Sequence, residues 1–327
     1  MQGKIALEEH WATPGTLEGN NMGPPMPSVW RDRVRRGLLD IHGERLADMD
    51  RTGIEFAILS LNAPGIQTVT DIGRAVDMAR QSNDLLAGEI AREPARFAGF
   101  AALPMQDPDA AIRELARCVK DLGFVGAMVN GFTQRNTPET VVYYDIAEYR
   151  PFWAAVNELE VPFYLHPRLT IPSRAQAYEG HPWLYAPAWD FAAQTSIHAL
   201  RLICSGLFDE FPRLQLVLGH LGERIPFDLW RIDNMMKKVP SRIPAKKSVG
   251  DYFRENVHLT TSGQFHDPTL HCAMAEVGAD RIMFSVDFPF EEMDAGAKWF
   301  DNAAISAADR LKIGRTNAIR LFKLPLK

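Results

Sequence analysis

The chain has 327 residues, of which 46% are hydrophobic, 24% charged and 10% aromatic. This globular composition excludes a disordered chain, a collagen-like repeat and a coiled-coil fibre. Its 36 basic and 41 acidic side chains leave a net charge of -5, and the basic cluster at residues 31–36 is interrupted by Asp32, so it reads as a solvated helix face rather than a nucleic-acid groove.

Short apolar runs alternate with longer amphipathic stretches along the whole chain. In order, the runs are Lys4–His10, Phe56–Leu61, Phe97–Leu103, Phe124–Asn130, Pro162–His166, Leu214–His220, Val257–Ser262 and Ile282–Asp287. Helical patterns occupy Ile72–Arg92, Asp109–Asp121, Phe152–Leu159, Ser196–Phe208 and Ala307–Phe322. Eight strands alternating with helices predict an α/β chain folded as a (β/α)8 TIM barrel, one domain over residues 1–327. A doubly wound sheet would want a Gly-rich phosphate turn after the first strand, and Glu8-Glu9-His10-Trp11 stands there instead. Two long loops are expected at the C-terminal face, Ala12–Arg36 and Pro167–Thr195, as lids or subunit contacts.

No apolar run approaches the roughly 18 residues of a spanning helix, so no membrane partner is expected. Two glutamates and a histidine stand where a secretory signal would need its apolar stretch. Cys118, Cys204 and Cys272 form no CxxC and read as small buried apolar residues. Together these features predict a soluble, cytoplasmic protein.

The chemistry lies where polar residues end strands. Strand one ends Glu8-Glu9-His10, strand five Tyr164-Leu165-His166, strand six Leu218-Gly219-His220 and strand eight Ser285-Val286-Asp287. Alternation along a strand puts Glu8 and His10 on one face and Glu9 on the other. In a barrel such ends converge on one mouth. Glu8, His10, His166 and Asp287 then offer two carboxylates and two imidazoles, a donor set suited to one divalent ion such as Zn²⁺ or Mn²⁺. Glu223 can turn back to fix the tautomer of His220; it can also serve as a helix N-terminal carboxylate, and both can hold together. Arg231 either reaches an anionic substrate or pairs with Asp228. Phe290, Trp189 and Phe288 are candidate pocket walls, and Asn130 and Arg231 candidate polar contacts to the substrate.

These residues resemble a known family. Glu-x-His at strand one, His at strand five, Gly-His-x-Gly-Glu at strand six and Phe-Ser-x-Asp-x-Pro at strand eight are similar to the amidohydrolase superfamily. More narrowly they resemble the metal-dependent decarboxylases related to aminocarboxymuconate-semialdehyde decarboxylase, in particular those acting on γ-resorcylate (2,6-dihydroxybenzoate) and 2,3-dihydroxybenzoate. Matching stretches include Ile58–Pro64, Leu122–Gly131, Gly180–Trp183, Ser205–Asp209 and Lys312–Ala318, so the likeness spans nearly the whole chain. It implies a single-metal site of Glu8, His10, His166 and Asp287, with His220 beside it supported by Glu223. It also implies a dimer or tetramer acting on a small aromatic carboxylate. The activity implied is non-oxidative, reversible decarboxylation of an ortho-hydroxybenzoate, with Asp287 or His220 as proton donor. Strand eight departs from the usual Ser-Thr-Asp-Trp/Tyr-Pro by reading Ser285-Val286-Asp287-Phe288-Pro289. Val286 should point outward and spare the metal, while Phe288 should alter a pocket wall. Strand four ends Val129-Asn130-Gly131 with no lysine to carbamylate, which speaks against the two-metal hydrolases. The same donors would also serve a mononuclear hydrolase of a lactone or amide, the rival reading.

Overall fold

The computed structural model describes residues 1–17, 26–238 and 243–326. Among the described residues ten strands run β1 Lys4–Trp11, β2 Ile54–Leu61, β3 Phe97–Ala101, β4 Gly126–Asn130, β5 Thr133–Arg135, β6 Thr137–Val142, β7 Phe163–His166, β8 Leu216–Leu218, β9 Val257–Thr260 and β10 Ile282–Met283. All eight expected runs are present. They form one 8-stranded sheet in the order β1-β2-β3-β4-β7-β8-β9-β10, and every adjacent pair is parallel. Parallel neighbours need crossovers, and helices supply them, as a barrel requires.

The strands are apolar on both faces because both are covered. Inward positions Ile5, Leu7, Phe56, Ile58, Phe100, Met128, Tyr164, Val217 and Met283 fill the barrel, and Ala318, Phe322 and Leu324 from the C-terminal segment plug its lower end. Alternate positions such as Ala6, Ala57, Leu59, Val129 and Leu165 join the larger layer beneath the helices.

The barrel closes without a ladder. Among the described residues, β10 and β1 share no strand pairing. Side chains bridge the seam instead. The Ser285 hydroxyl donates to the Leu7 carbonyl, and the Glu9 carboxylate accepts from Val286 N at 2.9 Å and from Ser285 Oγ at 3.2 Å. His10 N donates to the Phe288 carbonyl at 2.7 Å.

Four local features differ from the sequence pattern. The antiparallel hairpin of β5 and β6 extends the β4 end, and its short polar strands carry no apolar run to announce it. The segment Ala12–Arg36 is not one loop, because the helix Ser28–Leu39 enters it and packs Val34 and Leu38 inward; residues 18–25 of it lie outside the described residues. The pattern over Ala307–Phe322 is broken at Lys312–Thr316 by a π-helical turn. The second long loop, Pro167–Thr195, folds as four single 3₁₀ turns before the helix Asp190–Cys204 begins inside it.

Candidate metal centre

The C-terminal strand ends meet as expected. One ligand atom from each of Glu8, His10, His166 and Asp287 lies within 4.8 Å of the others. The closest approaches are His10 Nε2 to Asp287 Oδ1 at 3.2 Å and His166 Nε2 to Glu8 Oε1 at 3.2 Å. His220 Nε2 stands 3.7 Å from both Glu8 Oε1 and Asp287 Oδ2.

Backbone distortions aim these groups. Ile5 and Leu7 face the barrel interior, so plain alternation would turn Glu8 outward. A register shift between Ala6 and Glu9 inserts an extra residue, and Glu8 takes φ 60°. That bulge turns both Glu8 and His10 toward the mouth and Glu9 toward the seam. Asp287 has φ 77°. After β8 the chain makes a left-handed turn, with φ 50° at His220, 54° at Leu221, 87° at Gly222, 52° at Glu223 and 69° at Arg224. This turn leads directly into the helix Ile225–Met236, so Glu223 stands just before that helix's first turn. The turn brings Glu223 Oε1 to 2.7 Å from His220 Nδ1. Left-handed geometry costs a non-glycine residue about 1–3 kcal/mol, and such strain gathers at functional sites. Gly219 leaves room for the cluster, because a Cβ there would fall 2.8 Å from Glu8 Oε2.

The hydrogen bonds leave the cluster's inward atoms free. Glu8 Oε2 accepts from the hydroxyls of Tyr164, Ser262 and Thr260, while buried Oε1 has no hydrogen-bond partner among the described residues. His166 Nδ1 lies 2.8 Å from Asn130 Oδ1, which fixes Nδ1 as the protonated nitrogen and leaves Nε2 a lone pair facing inward. His10 Nδ1 lies 3.0 Å from Ser60 Oγ, and its buried Nε2 has no hydrogen-bond partner either. The orphaned Glu8 Oε1 and His10 Nε2, beside the Asp287 carboxylate, are what a divalent cation would complete. The donors therefore fit the expected single metal.

Electrostatics agree. Burial pushes the Glu8 carboxyl up, but the nearby imidazoles of His220, His166 and His10 hold it well below the ordinary carboxylate range. Burial lowers His166, only partly offset by Glu8, which favours the neutral ligand form. Burial also acts to lower His220, but Glu223, Glu8 and Asp287 together raise it well above the usual imidazole value. Glu9 is raised to about 8 by burial, with Asp287 adding to the rise and the Val286 N–H and Arg45 opposing it.

The other candidates divide. The Phe290 ring meets His10 edge-on at 5.7 Å, beside the cluster, and Trp30 stands 6.2 Å from Phe290. Trp189 is 50% exposed, with the Arg224 guanidinium 3.4 Å from its ring centre. Asn130, the candidate polar contact, is buried beside His166, with its Oδ1 on His166 Nδ1. Phe288 does not line the pocket; it lies in the outer core under Arg45, 4.8 Å from its ring centre. Val286 faces that same outer layer. Arg231 lies exposed on the helix Ile225–Met236, and among the described residues nothing ties it to the cluster or to Asp228. Sequence reasoning missed Ser60, Tyr164, Thr260 and Ser262, the groups that orient the ligands. Their signal was a polar side chain inside or just past an otherwise apolar run.

The amidohydrolase family model matches residues 22–324. The chain is 56% identical to the gamma-resorcylate decarboxylase of Rhizobium sp. (strain MTP-10005) over 326 residues, covering 99% of each. A crystal structure of 2,6-dihydroxybenzoate decarboxylase complexed with 2,6-dihydroxybenzoate superposes with a TM-score of 0.95 at 55% identity, covering 99% of each chain. The dihydroxybenzoic acid decarboxylase of Polaromonas sp. JS666, solved with bound manganese and the inhibitor 2-nitroresorcinol, gives 0.96 at 53% identity, covering 100% of this chain and 98% of that one. With its ligand-bearing barrel mouth and a match over nearly its whole length, the chain belongs to the amidohydrolase family.

Proposed function

We propose that the protein is a metal-dependent carboxy-lyase that converts 2,6-dihydroxybenzoate to resorcinol and CO₂. The observation that carries the reading is the cluster of Glu8, His10, His166 and Asp287 within 4.8 Å, with His220 3.7 Å from both carboxylates. Those four residues would hold one divalent ion. Manganese is favoured by its presence in the Polaromonas relative, and zinc suits the same donors. When bound, the ion supplies a Lewis acid and a template for the substrate carboxylate and its ortho oxygen.

The chain's own residues supply the proton and the shape. Loss of CO₂ breaks the C1–carboxyl bond and returns its electron pair to the ring, so C1 must gain a proton. Asp287 takes the proton released by the ionising ortho hydroxyl and delivers it to C1. His220 is the other donor within reach, kept protonated by Glu223. Phe290 and Trp30 exclude water on one side of the site. High bicarbonate would drive the reverse carboxylation.

We read residues 1–327 as one barrel domain of a cytoplasmic enzyme of aromatic catabolism. No helix among the described residues is long and apolar enough to cross a membrane. A homo-oligomer, dimer or tetramer, is supported by Phe227 at 83% and Trp230 at 73% exposure on one helix, which are large apolar groups for a lone subunit to leave in water.

The test is incubation of the metal-loaded protein with 2,6-dihydroxybenzoate, following resorcinol and CO₂, beside a chelator-treated control. Chelator-sensitive CO₂ release is expected, with slower turnover of 2,3-dihydroxybenzoate and 5-carboxyvanillate. Absence of CO₂ from all three, together with incorporation of solvent oxygen into a lactone or amide, would replace the reading with hydrolysis.

A further inference from the structure

A second polar cleft lies at the opposite end of the barrel, where β7, β8, β9 and β10 begin. Its volume is about 440 Å³, within the range of small-molecule sites. Arg281 precedes β10 and Arg320 lies on the last helix, Asn317–Phe322. Both line the cleft, and neither has a carboxylate partner among the described residues. Arg281 Nη1 donates only to neutral acceptors, Gln215 Oε1 and His258 Nε2, each at 3.0 Å. Arg320 Nη2 donates to the Asp280 carbonyl at 2.8 Å and to Asn317 Oδ1 at 3.2 Å.

The cleft's two carboxylates are committed to other cations. Glu160 pairs with Arg213 at 2.6 Å and with Lys323 at 3.3 Å, and Asp280 pairs with Lys312 at 3.0 Å. Burial and the charge of Arg320 lower the Arg281 pKa, against opposing pulls from Glu255 and Asp280. The same positive field acts on buried His258, which burial, Arg281 and Arg320 lower to about 3. His258 thus stays neutral, and its buried Nδ1 has no hydrogen-bond partner among the described residues. Two guanidiniums that repel one another over a part-buried floor lack a directly paired counter-charge. An oxyanion provides one, through the paired N–H geometry that arginine offers.

We propose that Arg281 and Arg320 form an oxyanion-binding site at the N-terminal end of the barrel, for a small molecule bearing a phosphate or a carboxylate. The site is separate from the metal centre, which occupies the C-terminal strand ends. Val161, Pro162 and Leu321 give it an apolar side that accepts a modest organic body.

The experiment uses the metal-loaded full chain and two probes, inorganic phosphate and benzoate, against chloride at equal ionic strength. Binding is read by calorimetry and by the shift in Tm, since a ligand of the native state stabilises it in proportion to its occupancy. Arg281→Gln and the more exposed Arg320→Gln are compared with wild type, with circular dichroism to verify folding. Loss of at least ten-fold in affinity for one probe in both variants supports the site and assigns its class, phosphate or carboxylate. A probe that binds at the metal centre keeps its affinity in both variants. If neither probe binds wild type more tightly than it binds the two variants, the proposal is overturned.

Discussion

Replacing Asn130 with alanine should weaken the metal centre without touching the substrate. Asn130 Oδ1 lies 2.8 Å from His166 Nδ1, and the side chain is 2% exposed. Alanine removes the acceptor and leaves a buried imidazole N–H unpaired, at a cost of about 1–3 kcal/mol in stability. It also frees the ring whose Nε2 must face the cluster. Loss of such an orienting partner weakens metal affinity by about 10–100-fold, or about 1.4–2.8 kcal/mol. Metal affinity would be measured by competition with a chelator, and kcat and KM at saturating metal. The expected result is weaker metal binding with KM nearly unchanged, and Asn130→Asp, which keeps an acceptor, should retain most of the affinity. A raised KM with undiminished metal affinity would refute the reasoning and return Asn130 to the role its sequence position suggested, a substrate contact.

Other changes test other links. Asp287→Asn should abolish turnover while metal analysis still finds appreciable ion; an active Asn variant would exclude Asp287 as proton donor. Chelation should lower Tm, because Glu8 and Asp287 are then held together without a cation, and added metal should restore it in a concentration-dependent way. Glu9→Ala removes the acceptor for Val286 N at the barrel seam and should cost about 1–3 kcal/mol in urea unfolding; an unchanged midpoint would count against the seam. Buried His198, lowered to about 3 by burial and then by Arg201, stays neutral in the native state while the unfolded chain protonates near 6.5. Its contribution is therefore complete above about pH 6.5 and is lost as pH falls toward 3. Between pH 6.5 and 5 the loss is about 2 kcal/mol, and His198→Gln should remove that part of the slope.

The sequence by itself determined the strand order, the barrel and the identities at the metal centre. Eight apolar runs had to be covered on both faces, and the polar residues ending four of them had one mouth to share. It also carried the His220–Glu223 pair, because three residues of chain suffice to join them. Tertiary structure decided what depends on backbone distortion and on partners distant in sequence. Alternation from Ile5 and Leu7 alone would have turned Glu8 away; the bulge that corrects it is a property of the β1–β2 register. Asn130 and Phe288 sit at plausible pocket positions in the chain. The first is held by His166 from β7 and the second by Arg45, contacts between residues 36 and 243 positions apart. The hydroxyls on Glu8 arrive from Tyr164, Thr260 and Ser262, and such residues read as ordinary strand positions until the barrel closes around a buried carboxylate that needs donors.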